Sequence, residues 1–222
     1  MNTVASSVSR TIRTFEVEVG SVRPRYRVYD SVKRLGDVIG ALFLLILNVP
    51  VLLVAICAVK LTSPGAAIFS QKRLGLGGRV FTIYKLRSMR QDAEKSGAAQ
   101  WASKNDDRVT PVGRFLRQTR IDELPQLYNV LLGDMSLIGP RPERPEFSDE
   151  LESVIPGYRK RLMVKPGITG LAQVSSGYAA CHRSYKRKVA MDLIYIRHRS
   201  FWLDLRIAIR TVIVVITGSG AR

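Results

Sequence analysis

Residues 38–59 contain no charged side chain and are almost wholly aliphatic. About 20 such residues can cross a bilayer as one helix, so this run limits the chain to folds that meet lipid or bury a whole helix. Two features constrain how the run sits. Asn48-Val49-Pro50 lies near its middle. Proline lacks a backbone donor and clashes with the carbonyl four residues earlier, so a kink or break is expected at Pro50, with Asn48 bonding the freed carbonyls. Basic residues flank both ends: Lys33 and Arg34 before, then Lys60, Lys72, Arg73 and Arg79 after. Lys/Arg-rich flanks stay on the cytoplasmic side, which a straight span cannot satisfy at both ends. The expectation is a re-entrant, Pro-kinked membrane helix over residues 31–60, entering and leaving on the same side. A plain transmembrane helix and a buried core helix are the alternatives.

Around this segment the chain divides simply. Residues 1–30 read as a weakly ordered arm, basic toward its end through Arg23, Arg25 and Arg27. No apolar stretch in the first 20 residues resembles the core of a cleavable signal. Residues 61–217 are expected to form a cytoplasmic catalytic domain large enough for its own core, followed by a tail at 218–222. Lys and Arg number 35 against 18 Asp and Glu, a formal charge of +17. Such an excess suits nucleic acid, anionic lipid or phosphorylated substrates. The apolar run favours the last two, and nucleic acid is not an expected partner. Two cysteines, Cys57 and Cys181, make neither a disulfide framework nor a metal site, and Cys57 reads as a small packed hydrophobe. His182 and His198 are too scattered for a metal site or a catalytic dyad.

The fold class expected is α+β, mostly helical. Residues 66–71 and 79–86 look like short strands joined by Gly75-Leu76-Gly77-Gly78, a hairpin turn or a phosphate cradle. Residues 89–108 read as helix then loop, and residues 114–117 as a short helical stretch. The next helix is capped by Asp122 or Thr119, with Leu124, Leu127, Tyr128 and Leu131 on its buried side. Gly133 ends it, residues 137–142 form a rigid loop, and residues 143–163 look helical. From Phe201 onward an amphipathic helix with an aromatic start suits either the bilayer interface or the domain core.

Chemistry concentrates at Asp122-Glu123. Pro125 places the pair at a helix start, since proline is tolerated in the first turn. Arg114, Arg117 and Arg120 precede the pair, and Arg141 and Arg144 follow it. Arg141 lies between Pro140 and Pro142, which stiffen the backbone that carries its planar fork, a shape matched to phosphate. Arg117 and, more weakly, Lys85 are further candidates for phosphate binding. A carboxylate pair among arginines is suited to chemistry on a phosphate. The metal that fits is magnesium (Mg2+), held by Asp122 and Glu123 together with substrate phosphates. The competing reading is a non-catalytic basic protein that binds membrane surfaces.

From about residue 32 to 217 the chain resembles the bacterial sugar transferases, the monotopic phosphoglycosyl transferases. The resemblance rests on ordered motifs. Lys33-Arg34-Leu35-Gly36-Asp37 and Phe69-Ser70-Gln71-Lys72-Arg73-Leu74-Gly75 flank the apolar run. Tyr84-Lys85-Leu86-Arg87-Ser88-Met89 and Asp107-Arg108-Val109-Thr110 follow. The strongest are Ile121-Asp122-Glu123-Leu124-Pro125-Gln126-Leu127 and Gly133-Asp134-Met135-Ser136-Leu137-Ile138-Gly139-Pro140-Arg141-Pro142. Lys165-Pro166-Gly167-Ile168-Thr169-Gly170 and Asp192-Leu193-Ile194-Tyr195 complete the series.

The resemblance implies transfer of a sugar-1-phosphate from a nucleotide sugar, usually a UDP-sugar, to polyprenyl phosphate at the cytoplasmic face of the bacterial inner membrane. This would be the first membrane step in building polysaccharide or glycoconjugate. It implies Asp122 as the nucleophile, Glu123 as metal ligand or proton acceptor, and Arg117 and Arg141 stabilising phosphate charge. Membrane lipids are implied partners, and homo-oligomerisation stays open. After Gly170 the chain departs from the common Trp-Ala-Gln-Val-Asn-Gly-Arg pattern and reads Leu171-Ala172-Gln173-Val174-Ser175-Ser176-Gly177-Tyr178, so no sugar- or base-contacting role is carried over there. The long multi-helix N-terminal extension of larger relatives is not expected here.

Overall fold

One helix, α1 (Arg25–Thr62), organises the fold in a computed structural model that describes residues 25–93, 106–175 and 182–217. The helix starts inside the expected arm, taking in residues 25–30, and the rest of the arm lies outside the described residues. It is continuous through Pro50, so the expected break does not occur. Asn48 Nδ2 donates to the Leu44 carbonyl at 2.8 Å. That is not the Ile46 carbonyl, which Pro50 leaves without its helical donor. Among the described residues this is the one helix long and apolar enough to cross a membrane.

The side chains of α1 that meet the rest of the molecule fall on one stripe. Asp37, Ala41, Leu45, Leu52, Ala55 and Val59 recur at intervals of three, four or seven residues, with Ile56 at the edge of the stripe, the spacing of one helical face. Ile39, Phe43, Ile46, Leu47, Leu53 and Val54 point elsewhere and are exposed. Cys57 is also exposed, so it is not the packed hydrophobe expected, because its position falls off the stripe. Polar contacts fix the first half of α1. Arg34 donates to the carbonyls of Val130 and Leu131 at 2.6 and 3.0 Å. Asp37 accepts from Leu137 N–H at 3.0 Å. Tyr29 and Lys33 both donate to Asp204, at 2.7 and 2.9 Å. Gly40 permits the approach, since a Cβ there would lie 2.8 Å from Leu137 Cδ1. The second half packs Ala55 and Val59 against Ala67, Leu86 and Leu116.

Strands β1 (Ile68–Leu74) and β2 (Val80–Leu86) form the expected antiparallel hairpin, with Leu74 opposite Val80. Its turn uses positive φ at Gly77 and Gly78, which side chains disfavour. The far edge of β2 is closed by a side chain. Asn129, fully buried, accepts from Tyr84 N–H at 3.1 Å and donates to the Thr82 carbonyl at 2.7 Å. Asn129 belongs to α3 (Gln126–Leu132), which follows α2 (Pro111–Gln118) and ends at Gly133 in the left-handed region.

Beyond α3, β3 (Ser136–Ile138) pairs in parallel with β4 (Gly167–Thr169), a pairing absent from the sequence reading. Residues 143–163 do not make one helix. They split into α4 (Pro145–Val154) and a 3-10 turn (Tyr158–Met163), with Gly157 at positive φ between them. Short α5 (Leu171–Ser175) precedes α6 (His182–His198) and α7 (Phe201–Thr217). Residues 89–93 form a bridge and a turn rather than the expected helix, and most of that stretch lies outside the described residues, as does Cys181. Of the two readings of the last helix, packing into the domain core holds for one side. Ile207 is buried against Ile138 and Tyr195, while Phe201, Trp202, Ile209, Val212, Ile213 and Ile216 are exposed on its other side.

Candidate active site

Asp122 and Glu123 sit in a short 3-10 turn, Ile121–Glu123, that rests on α1. Ile121 packs with the cluster around Ala55 and Val59, and Leu124 with the cluster around Ala41. The dyad is therefore mounted between the two halves of the long apolar helix. Arg120, just before the turn, has φ 61°, the one positive φ on a non-glycine side chain among the described residues. Such backbone costs about 1 kcal/mol or more and gathers at functional sites.

Neither Thr119 nor Asp122 caps α3, contrary to expectation. Thr119 ends α2, its hydroxyl bonding back to the Phe115 carbonyl at 2.9 Å. The N–H groups of Glu123 and Leu124 close onto the carbonyls of Arg120 and Ile121, and Pro125 occupies the cap position. With backbone donors satisfied by backbone, both carboxylates are left for other partners. Leu127 is buried as expected, but Tyr128 is 51 % exposed, and Gln126 and Asn129 take the buried positions instead. The polar demand of the β2 edge decides that rotation.

The structure brings together Asp122, Glu123, Lys85 and Arg141, each drawn from a different part of the chain except the dyad itself. Glu123 is held by the Arg141 fork, with Nη2 to Oε1 at 2.6 Å and Nη1 to Oε2 at 3.4 Å. Lys85 Nζ lies 3.5 Å and Arg120 Nη1 3.8 Å from the same oxygen Oε1. Lys85 reaches it because it shares the strand face of Phe81 and Ile83, which are core residues. Asp122 is 7 % exposed and has no hydrogen bond or ion pair among the described residues. Arg117 acts on it through the field. Asn48 and Pro50 stay in the middle of α1.

Charge divides the dyad. Burial pushes the Asp122 carboxyl up and the charge of Glu123 pushes it further, to about 6, against the pull of Lys85, Arg141 and Arg117. Burial acts on Glu123 too, but Arg141 and Lys85 outweigh it and hold that carboxyl well below the usual range. Burial lowers Lys85 to about 8, against the opposing attraction of Glu123. The result is one carboxylate neutralised by its arginine and a second that is buried, close to neutral pH and unpaired. The second is chemically the more basic and the more available.

Among the described residues no third histidine, cysteine or carboxylate joins the pair as a metal cluster. That donor set fits Mg2+, which keeps several waters and takes its other ligands from substrate phosphates. Asp122 has free oxygens for it. Glu123 is already engaged by Arg141. The sequence reading passed over the residues that hold the Arg141 loop. Arg73 donates to the Pro142 carbonyl at 3.2 Å, and Arg161 to the Arg141 carbonyl at 2.9 Å. The one available signal was that Arg73 and Asp192, the partner of Arg161, fall inside quoted motifs.

Comparison with known proteins gives the family. A family model described as bacterial sugar transferase matches residues 28–218. A UDP-N-acetylgalactosamine-undecaprenyl-phosphate N-acetylgalactosaminephosphotransferase of Aeromonas hydrophila is 47 % identical over 207 residues, covering 93 % of this chain and 48 % of the relative. A UDP-glucose:undecaprenyl-phosphate glucose-1-phosphate transferase of Caulobacter vibrioides is also 47 % identical, over 204 residues, covering 91 % of this chain and 76 % of the relative. An Escherichia coli relative with that same glucose-1-phosphate transferase name is 44 % identical, over 85 % of this chain and 41 % of its own length. The chain thus spans about half the length of the first relative and three quarters of the second. Relatives of equal identity carry the names of different sugars, so overall similarity does not choose the donor.

Proposed function

The chain belongs to the bacterial sugar transferase family, and from that premise we propose that it transfers a sugar-1-phosphate from a UDP-sugar to a polyprenyl phosphate at the cytoplasmic face of the bacterial inner membrane. The observation that carries the reading is the unpaired, buried Asp122 beside an arginine-neutralised Glu123, on a turn mounted on the apolar helix. Four cations, Lys85, Arg117, Arg120 and Arg141, face two carboxylates there. A nucleoside diphosphate would balance that excess.

In the first half-reaction an Asp122 oxygen attacks the β-phosphorus of the UDP-sugar. The bond from that phosphorus to the bridging oxygen breaks, and UMP leaves with the electron pair. The phosphosugar remains on Asp122 as an acyl phosphate. In the second half, a phosphate oxygen of polyprenyl phosphate attacks the same phosphorus and Asp122 leaves as carboxylate. Lys85 and Arg141 stabilise the charge that develops on the phosphoryl oxygens. Glu123 orients Arg141 and keeps the nucleophile basic by its own negative charge. Mg2+, when bound with the diphosphate, would be held by Asp122 and would neutralise phosphate charge.

The membrane arrangement is part of the proposal. Both halves of α1 pack on the same domain, which supports a helix that enters and leaves on one side of the membrane, with the helix unbroken at Pro50. Placing the dyad on that helix puts the nucleophile beside the headgroup layer, where a polyprenyl phosphate presents its phosphate. The apolar side of α7 would lie in the same interface.

The test is UMP release from a panel of UDP-sugars, with Mg2+ and polyprenyl phosphate in detergent. Release with one donor, and a phosphosugar adduct on the Asp122 peptide when the acceptor is withheld, are the expected results. Release that persists at the wild-type rate in Asp122→Asn would refute the nucleophile assignment.

A further inference from the structure

The arginine that neutralises Glu123 is itself held from behind. Arg161, in the turn Tyr158–Met163, donates Nη2 to the Arg141 carbonyl at 2.9 Å. The same guanidinium donates Nε and Nη2 to Asp192 Oδ2 at 3.1 and 2.6 Å, and Nη1 to the Tyr158 hydroxyl at 3.2 Å. Arg161 and Asp192 are 6 % and 2 % exposed. A buried ion pair is costly to desolvate, and apolar side chains of the same volume often serve stability as well or better. What apolar side chains cannot do is donate to a carbonyl. Pro140 and Pro142 stiffen the loop but do not anchor it. Its anchors among the described residues include the Gly167 N–H at the Pro140 carbonyl and the Leu74 N–H at the Glu143 carbonyl, each at 2.9 Å, Arg161 at Arg141, and Arg73 at Pro142. Of these, Arg161 alone grips the residue whose fork must meet Glu123 at 2.6 Å.

We propose that Arg161 and Asp192 are positioning residues that fix the main chain of Arg141, so that its guanidinium stays on Glu123 and faces the substrate diphosphate. Asp192 lies on α6, so the packing of α6 reaches the dyad through two guanidinium groups in series. The catalytic consequence rests on the function proposed above, while the geometric claim does not.

Two measurements separate these. The first is carbodiimide labelling of Glu123 in the full-length protein, read by peptide mass spectrometry. Asp192→Asn and Arg161→Lys keep side-chain size, and Tyr158→Phe removes a single acceptor as the mildest variant. Leu151→Ala, in the apolar cluster that also holds the Tyr158 ring, lowers stability but removes no charged or hydrogen-bonding group. Labelling of Glu123 should rise severalfold in the first two variants and more weakly in Tyr158→Phe, and stay at the wild-type level in Leu151→Ala. The second is UMP release. A misplacement of about 1 Å costs up to about a hundredfold in rate, so kcat should fall about ten- to a hundredfold in Arg161→Lys. The same change in an Arg141→Lys background should cost little more, because a residue acting through Arg141 is not additive with it. Unchanged labelling in the folded variants, or full additivity, would overturn the proposal. If the wild type releases UMP from no donor, the proposed function fails, and the labelling still decides the positioning role.

Discussion

Asp122 and Glu123 are neighbours of the same chemistry that the fold makes unlike. Glu123 meets a guanidinium fork; Asp122 meets burial and the charge of its neighbour. Asp122→Asn should therefore lower turnover by more than about a thousandfold while leaving UDP-sugar binding largely intact. It should also stabilise the protein, because it removes a buried charge that has no partner. The sign follows from the raised value. The native state favours the protonated acid, so the stability contributed by that proton is fully present below the ordinary aspartate range and is lost as pH rises through about 6. The neutral amide escapes that loss. Its gain over wild type should be about 1 to 3 kcal/mol at pH 8 and should vanish below pH ~4, as thermal melts at the two pH values would show. A bell-shaped profile of kcat/KM for UMP release is expected as well, rising through about 6 as Asp122 ionises and falling through about 8 as Lys85 loses its proton. Loss of the acid limb's dependence on Asp122, tested by Asp122→Glu, would refute that assignment. At this scale the site was legible where charge density is local in the chain: the dyad, Arg117 and Arg141 stand within 25 residues of one another. The contact of Arg161 with the Arg141 carbonyl was not legible, because Asp192, which holds Arg161, lies 31 positions away and its motif does not say which cation it meets.

The elements show what periodicity can and cannot report. The hairpin of β1 and β2 was readable because each strand has seven residues and a glycine turn lies between them. The parallel pair of β3 and β4 was not, since three-residue strands carry no alternation and their pairing spans the whole of α4. Leu124, Leu127 and Leu131, before and within α3, face the core as expected, and the expectation fails at Tyr128 for a related reason. Apolar spacing put Tyr128 inside, whereas the open edge of β2 required an amide. Asn129 meets that demand with two hydrogen bonds to backbone groups that would otherwise be buried and unpaired. Asn129→Ala should thus cost about 2 to 4 kcal/mol, more than the loss of a side chain of that size from an ordinary surface. Because α3 begins directly after the dyad, the loss should also appear as reduced UMP release at temperatures where the variant is still folded. Chemical denaturation with activity measured on the same samples would check both. An unchanged denaturation midpoint would mean that water replaces the amide at the β2 edge.

For the whole molecule, charge and apolar surface act together. The formal charge of +17 favours an anionic leaflet, but screening by salt weakens that attraction. The exposed faces of α1 and α7 do not depend on it. Trp202 and Ile216 on α7 are 72 % and 78 % exposed, and α1 leaves Phe43, Ile46 and Val54 open along its outer side, and grouped exposed apolar side chains mark an interaction surface. Membrane fractions washed with concentrated salt should therefore retain the protein, and only detergent should release it. Where α1 lies follows from its stripe. A helix that spanned the bilayer upright would carry one end out of reach of the domain, yet Arg34 and Asp37 near one end and Ala55 and Val59 near the other all contact it. Leu35 and Leu61, both exposed, bracket the apolar run. Cysteines placed there, in a protein whose native Cys57 and Cys181 are replaced by serine, should react with a membrane-impermeant maleimide together, from the cytoplasmic side in inverted vesicles. Neither should react in intact spheroplasts. Labelling of the two from opposite sides would mean that α1 crosses the bilayer. The domain contacts at its two ends could not then coexist, and the placement of the dyad at the cytoplasmic headgroup layer would fall with them.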